Sequence, residues 1–67
     1  MTKNRESFGE RLRNLREKAG LTRGDLAIKA GLDLKTIWSL EGGKTRPSWD
    51  TVCHLADALG VSVERFR

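Results

Sequence analysis

Scarcity sets the first limits on this chain of 67 residues: one cysteine, one histidine, one proline and no apolar run long enough to span a membrane. Cys53 has no partner for an internal disulfide, and with His54 it falls short of any structural metal site. The two are adjacent on one helix, so they point in different directions and form no nucleophile–base pair. Thr36 and Ser39 have no base to activate them. Paired carboxylates and a phosphate-cradling glycine loop are missing as well. Neither an enzyme, a metal, a cofactor nor a small-molecule ligand is expected. The polar N-terminus carries no signal-peptide core, so the expected location is cytoplasmic, with no membrane partner.

What remains is a lean, charged chain with 37% hydrophobic and 33% charged residues. At this length one small core must be held by helix packing alone. Thirteen Lys and Arg against nine Asp and Glu give a net charge of +4 and a pI near 9.8. Such a surface favours polyanions without specifying one.

Residues 1–6 are polar and read as a flexible arm, leaving 7–67 as one domain. Ser7 and Glu10 have capping-box spacing. Phe8, Leu12 and Leu15 follow on one face, and Gly20 ends a helix over about 8–19. Thr22 and Asp25 repeat the start signal. Leu26, Ala27 and Ala30 form the next apolar face, and Gly31 stops it. Gly24, in the first turn, costs that helix about 1 kcal/mol relative to alanine. Asp33 is read as the cap of a third helix carrying Ile37 and Leu40, ended by Gly42 and Gly43. After the basic connection 44–47, Ser48 caps a fourth helix. Trp49, Val52, Leu55, Ala56 and Leu59 form its stripe, with Trp49 expected over one edge of the core or, as the alternative, partly exposed for a dimer interface. Gly60 closes it, and Ser62 caps a last turn bearing Val63 and Phe66. Sustained alternation with turn pairs is absent, so strands are not expected. The fold class is all-α: a compact bundle of five short helices.

The informative stretch is RGDLAIKAGLDLKTIWSL, residues 23–40. Two short helices joined through a glycine turn cross steeply, which demands a small residue at the contact (Ala27) and a positive-φ residue at the reversal (Gly31). Leu26, Leu32, Ile37 and Leu40 then face inward.

The runs FGERLRNLREKAGLT, DLAIKAGLDLKTIWSLEGGKTRPS and LADALGVSVERF together resemble the lambda-repressor-like helix-turn-helix family of phage repressors, Cro proteins and XRE-type bacterial regulators. The resemblance spans nearly the whole chain. It implies a sequence-specific transcriptional regulator of double-stranded DNA, acting as a homodimer, with the third helix in the major groove. Carried over position by position, it places Leu34, Lys35, Trp38 and Ser39 at base edges. Phosphates fall to Arg23 and to the turn with Gly43, Lys44 and Arg46, partly through backbone amides. It also implies a structural ion pair between Arg16 and Glu41. The chain departs from the family's habit in having Arg23 where Gln is frequent, and apolar Leu34 and Trp38 where polar residues are. Those two side chains therefore leave three readings open: contact with thymine methyl groups, packing of a rotated helix, or a face for a protein partner.

Overall fold

The computed structural model describes residues 7–66; the arm assigned to 1–6 and the terminal Arg67 lie outside them. Four α-helices follow in order: α1 (Phe8–Lys18), α2 (Arg23–Ala30), α3 (Leu34–Glu41) and α4 (Trp49–Leu59). A 3-10 turn, Val63–Phe66, ends the described chain. Among the described residues there is no strand, and no helix is long and apolar enough to cross a membrane.

Local chemistry sets the helix starts. The Ser7 hydroxyl accepts the Glu10 amide at 3.1 Å, and the Glu10 carboxylate accepts the Ser7 amide at 3.1 Å. Thr22 and Asp25 make the same reciprocal pair at 3.0 and 3.1 Å. Each box satisfies two amides that a helix start leaves without intrahelical acceptors. Ser48 caps α4 by accepting the Thr51 amide, and Ser62 accepts the Glu64 amide. Asp33 differs from expectation: its side chain makes no capping bond to α3. That leaves the start of α3 anchored by tertiary packing.

Leu12, Leu26, Ile37 and Leu55, one from each helix, are fully buried, and Ala27, Ala30 and Leu40 complete the centre. α3 packs on α1 and α2, α2 packs on α4, and the 3-10 turn closes against α1 and α4. Gly31, at φ 70°, reverses the chain between α2 and α3. Its amide donates to Ile28 O, and that of Leu32 to Ala27 O, which closes the helix end and turns Leu32 toward the core.

Three expectations are revised. The fifth helix is a single four-residue 3-10 turn, too short for an α-helix, tethered by stacking of Phe66 on Phe8 with ring centroids 5.0 Å apart. Trp49 does not cover the core: at the first position of α4 it is 62% exposed. Val52 and Leu59 are half-buried rather than central.

Sequence reading assigned no role to Gly9, yet it is buried. A β-carbon there would sit 2.5 Å from both the Leu40 and Glu41 carbonyl oxygens. The start of α1 therefore lies directly on the last-turn backbone of α3, and no side chain fits between them. Gly9→Ala is expected to force the helices apart and cost about 2 kcal/mol or more. That is a large share of the roughly 3–10 kcal/mol available to a domain this size, and urea unfolding measures it.

The Thr22 amide, with the hydroxyl second, holds the Asp25 carboxyl below the usual carboxylate range. A lowered carboxyl contributes stability that is present above its unfolded pKa, about 3.9. This contribution is lost as the pH falls through the lower folded value. Asp25→Asn is therefore expected to flatten the acid limb of stability against pH below about pH 4 while preserving its shape near neutrality, as followed by urea melts across that range.

Candidate nucleic-acid interface

The site is built around one carboxylate. Glu41, in the last turn of α3, has a side chain only 4% exposed. Arg16 of α1 approaches it edge-on: Nε donates to Oε2 at 2.6 Å and Nη2 to Oε1 at 3.2 Å. The third nitrogen, Nη1, donates to the Leu21 carbonyl at 2.9 Å. A guanidinium 9% exposed thus has its charge and all three nitrogens accounted for. The Glu41 hydrogen bond, against desolvation, holds the Arg16 pKa above its already high ordinary value. The close approach at Gly9, two turns earlier on α1, sets the spacing that lets Arg16 reach Glu41. The expected ion pair is present and buried.

Its third member was not expected. Arg23, at the start of α2, donates from Nε to Glu41 Oε1 at 3.0 Å, and its guanidinium carbon lies 5.8 Å from the Trp38 ring centroid. Two arginines share one carboxylate, and with Arg16 also 4.0 Å from Glu17, which pairs with Arg13, the network of three arginines and two glutamates retains one positive charge. The Arg23 side chain, 43% exposed, is where that charge meets solvent. Sequence spacing hides this pairing because Arg23 and Glu41 are 18 residues apart and meet only when α2 packs on α3. The one hint was the pairing of two departures from the family's habit, Arg23 and Trp38.

Trp38 is 61% exposed and Leu34 47% exposed, so α3 is not rotated to pack them. Trp38 walls two shallow clefts. One, of about 310 Å³, is also lined by Lys35, Ser39 and Lys44. The other, of about 290 Å³, is lined by Arg13, Arg23, Glu41 and Gly42. The fold therefore gathers Lys35, Trp38, Ser39 and Lys44 into one concavity and sets Arg23 across the indole from it. Leu34 and Arg46 line neither cleft. Arg46 lies exposed in the connection to α4. Arg13, assigned no role from sequence, borders the second cleft while paired with Glu17 at 3.3 Å, an ordinary i,i+4 contact.

The turn after α3 differs in one respect from what the resemblance implies. Gly43, at φ 74°, donates its amide to Leu40 O at 3.3 Å, and Lys44 donates its amide to Ser39 O at 2.9 Å. Both amides are spent on closing α3. The Gly43 and Lys44 amides are therefore not what this turn presents to an anion, whereas the Lys44 and Arg46 side chains are exposed. Among the described residues no cluster of three His, Cys, Asp or Glu side chains could hold a metal ion.

α3 thus stands at the surface braced at its C-terminal end, with the Lys35 and Lys44 side chains beside the exposed Trp38. The sequence profile of the family described as "Helix-turn-helix domain" matches residues 7–67, and the chain belongs to that family. It is 41% identical over 54 residues to the HTH-type transcriptional regulator DdrOP3 of Deinococcus deserti, covering 81% of this chain and 42% of that protein. Against the HTH-type transcriptional repressor RghR of Bacillus subtilis it is 43% identical over 60 residues, 88% of this chain and 44% of that protein. The chain thus spans less than half the length of these two curated relatives. In structure it resembles the restriction-modification controller protein C.AhdI of Aeromonas hydrophila, with a TM-score of 0.87, 35% identity, and 90% and 91% of the two chains covered. It also resembles the P22 c2 repressor crystallised with a synthetic operator, with a TM-score of 0.84, 26% identity, and 92% and 94% covered.

Removing Arg16 would leave a buried carboxylate with one partner. Arg16→Ala is expected to destabilise the domain by about 3 kcal/mol or more. The double variant Arg16→Ala/Glu41→Ala should lose less than the sum of the two single variants, as urea unfolding of the full cycle would measure.

Proposed function

We propose that the chain is the DNA-binding part of a sequence-specific transcriptional regulator, with α3 entering the major groove of double-stranded DNA. The observation that carries this reading is one concavity on the outer face of α3 lined by exposed Lys35, Trp38 and Lys44 with half-buried Ser39. Similarity to regulators and to an operator-bound repressor supports it. Base edges fall to Leu34, Lys35 and Ser39. Lys35 suits the guanine acceptors, Ser39 suits either a donor or an acceptor, and Leu34 suits a thymine methyl group. Phosphates fall to Arg23, Lys44 and Arg46, which set register without reading sequence. Gly43 contributes the shape of the turn that places Lys44.

One such domain makes few phosphate contacts, so a single copy binds weakly and with steep salt dependence. Two copies on a near-palindromic site, with half-sites one helical turn or about 34 Å apart, would combine two modest preferences into a useful one. A homodimer on DNA is therefore part of the proposal. A protein-binding face built on Leu34 and Trp38 is the competing reading, favoured by their exposure alone. The basic residues around them weigh against it.

Selection of bound duplexes from random DNA tests the proposal. Enrichment of a two-fold related motif is expected. Lys35→Ala is expected to relax preference at one base pair in each half-site, a loss of about 1–3 kcal/mol of discrimination. Lys44→Ala should instead weaken selected and random DNA alike. No binding to mixed duplex DNA at low salt would overturn the DNA reading and favour the protein-binding face.

A further inference from the structure

Resting on the DNA-binding reading, we infer that Trp38 is a positioning residue: its indole and the Glu41 carboxylate together hold the Arg23 guanidinium ready for a DNA phosphate. The geometry divides the guanidinium cleanly. Nε is committed to Glu41 Oε1 at 3.0 Å, and the guanidinium carbon lies over the indole, 5.8 Å from the ring centroid. Nη1 and Nη2 make no hydrogen bond among the described residues, and the side chain is 43% exposed. A guanidinium held through Nε beside an indole keeps Nη1 and Nη2 for a second anion, and those two donors fit phosphate oxygens.

The charge balance favours the same assignment. Glu41 is already matched by Arg16 at 2.6 Å, so Arg23 is held there without being neutralised. An unrestrained arginine must freeze several torsions to make a phosphate contact. Here that ordering takes place when the domain folds, which is what preorganisation means for affinity. Trp38 is well suited to the task because indole is the best aromatic partner for a cation. Trp38 lines both clefts, so the cation–π pair also separates them. Arg23 lines the cleft on the other side of the indole from Lys35 and Ser39, so the clamp holds α3 against the backbone while those two meet bases.

The test compares wild type with Trp38→Ala, Trp38→Phe, Arg23→Ala and the double variant Arg23→Ala/Trp38→Ala. Each is titrated with a selected duplex and with a random duplex across a salt series. The Arg23 Nε–H resonance is followed by NMR in the free protein. Trp38 is exposed, so its truncation is expected to leave the fold intact, checked by the same spectra. Trp38→Ala should weaken both duplexes by the same factor and move the Arg23 Nε–H resonance toward its free-guanidinium position as the hold on Glu41 loosens. Trp38→Phe should retain most of the affinity. Arg23→Ala should reduce the slope of log affinity against log salt by about 0.9, the signature of one lost phosphate contact. The double variant should bind no more weakly than Arg23→Ala alone. A Trp38→Ala defect confined to the selected duplex, or one that adds fully to that of Arg23→Ala, would overturn the positioning role while leaving DNA binding in place. Failure of wild type to bind either duplex at low salt would overturn the DNA reading, and the clamp with it.

Discussion

Everything that distinguishes this domain converges on the Glu41 carboxylate. It lies in the last turn of α3, is shut from water, and is held by arginines from two other helices. Arg16 fixes α3 to α1, and Arg23 fixes it to α2. A buried ionic cluster adds little net stability, because desolvation offsets most of the attraction. It is also intolerant of misplacement, since any shift leaves a buried charge unpaired. Apolar packing of Leu12, Leu26, Ile37 and Leu55 supplies the cohesion, and apolar contacts tolerate small slides. The carboxylate supplies the register that those contacts leave loose.

That division of labour explains how so small a domain presents a defined surface. α3 has only eight residues, and its Asp33 start lacks a side-chain cap. A helix that short is marginal on its own. Its C-terminal end is secured in three ways: Gly9 lets α1 rest on its backbone, Glu41 binds two arginines, and the Gly43 and Lys44 amides close its carbonyls. With one end fixed, the outward row from Leu34 to Ser39 has a defined orientation. The positive charge left over from the cluster emerges at Arg23, beside that row.

Much of the fold was legible because local signals and the apolar stripes agree. The Ser7/Glu10 and Thr22/Asp25 boxes, the Gly31 reversal and the central leucines each follow from short-range spacing. The failures are tertiary. The exposure of Trp49 depends on where the start of α4 lies relative to α2, which a 3.6-residue stripe does not encode. The role of Gly9 depends on two backbones meeting. Arg16–Glu41 was legible only through the family resemblance, and Arg23–Glu41 not at all, because a surface arginine and its partner 18 residues on have no local signature. Within the candidate site, sequence named the outward face of α3 correctly as a surface, while which side chains hold one another became visible only in three dimensions.

In the proposed complex DNA lies on this braced face and on no other. Amide chemical shifts followed during titration with duplex DNA at low salt test it directly. The largest changes are expected at residues 23–24, 34–39 and 43–46, fading as salt is raised, with Ile28 and Trp49 unmoved. Shifts clustered instead around Ile28 and Trp49, with α3 unchanged, would place DNA on a different face of the domain.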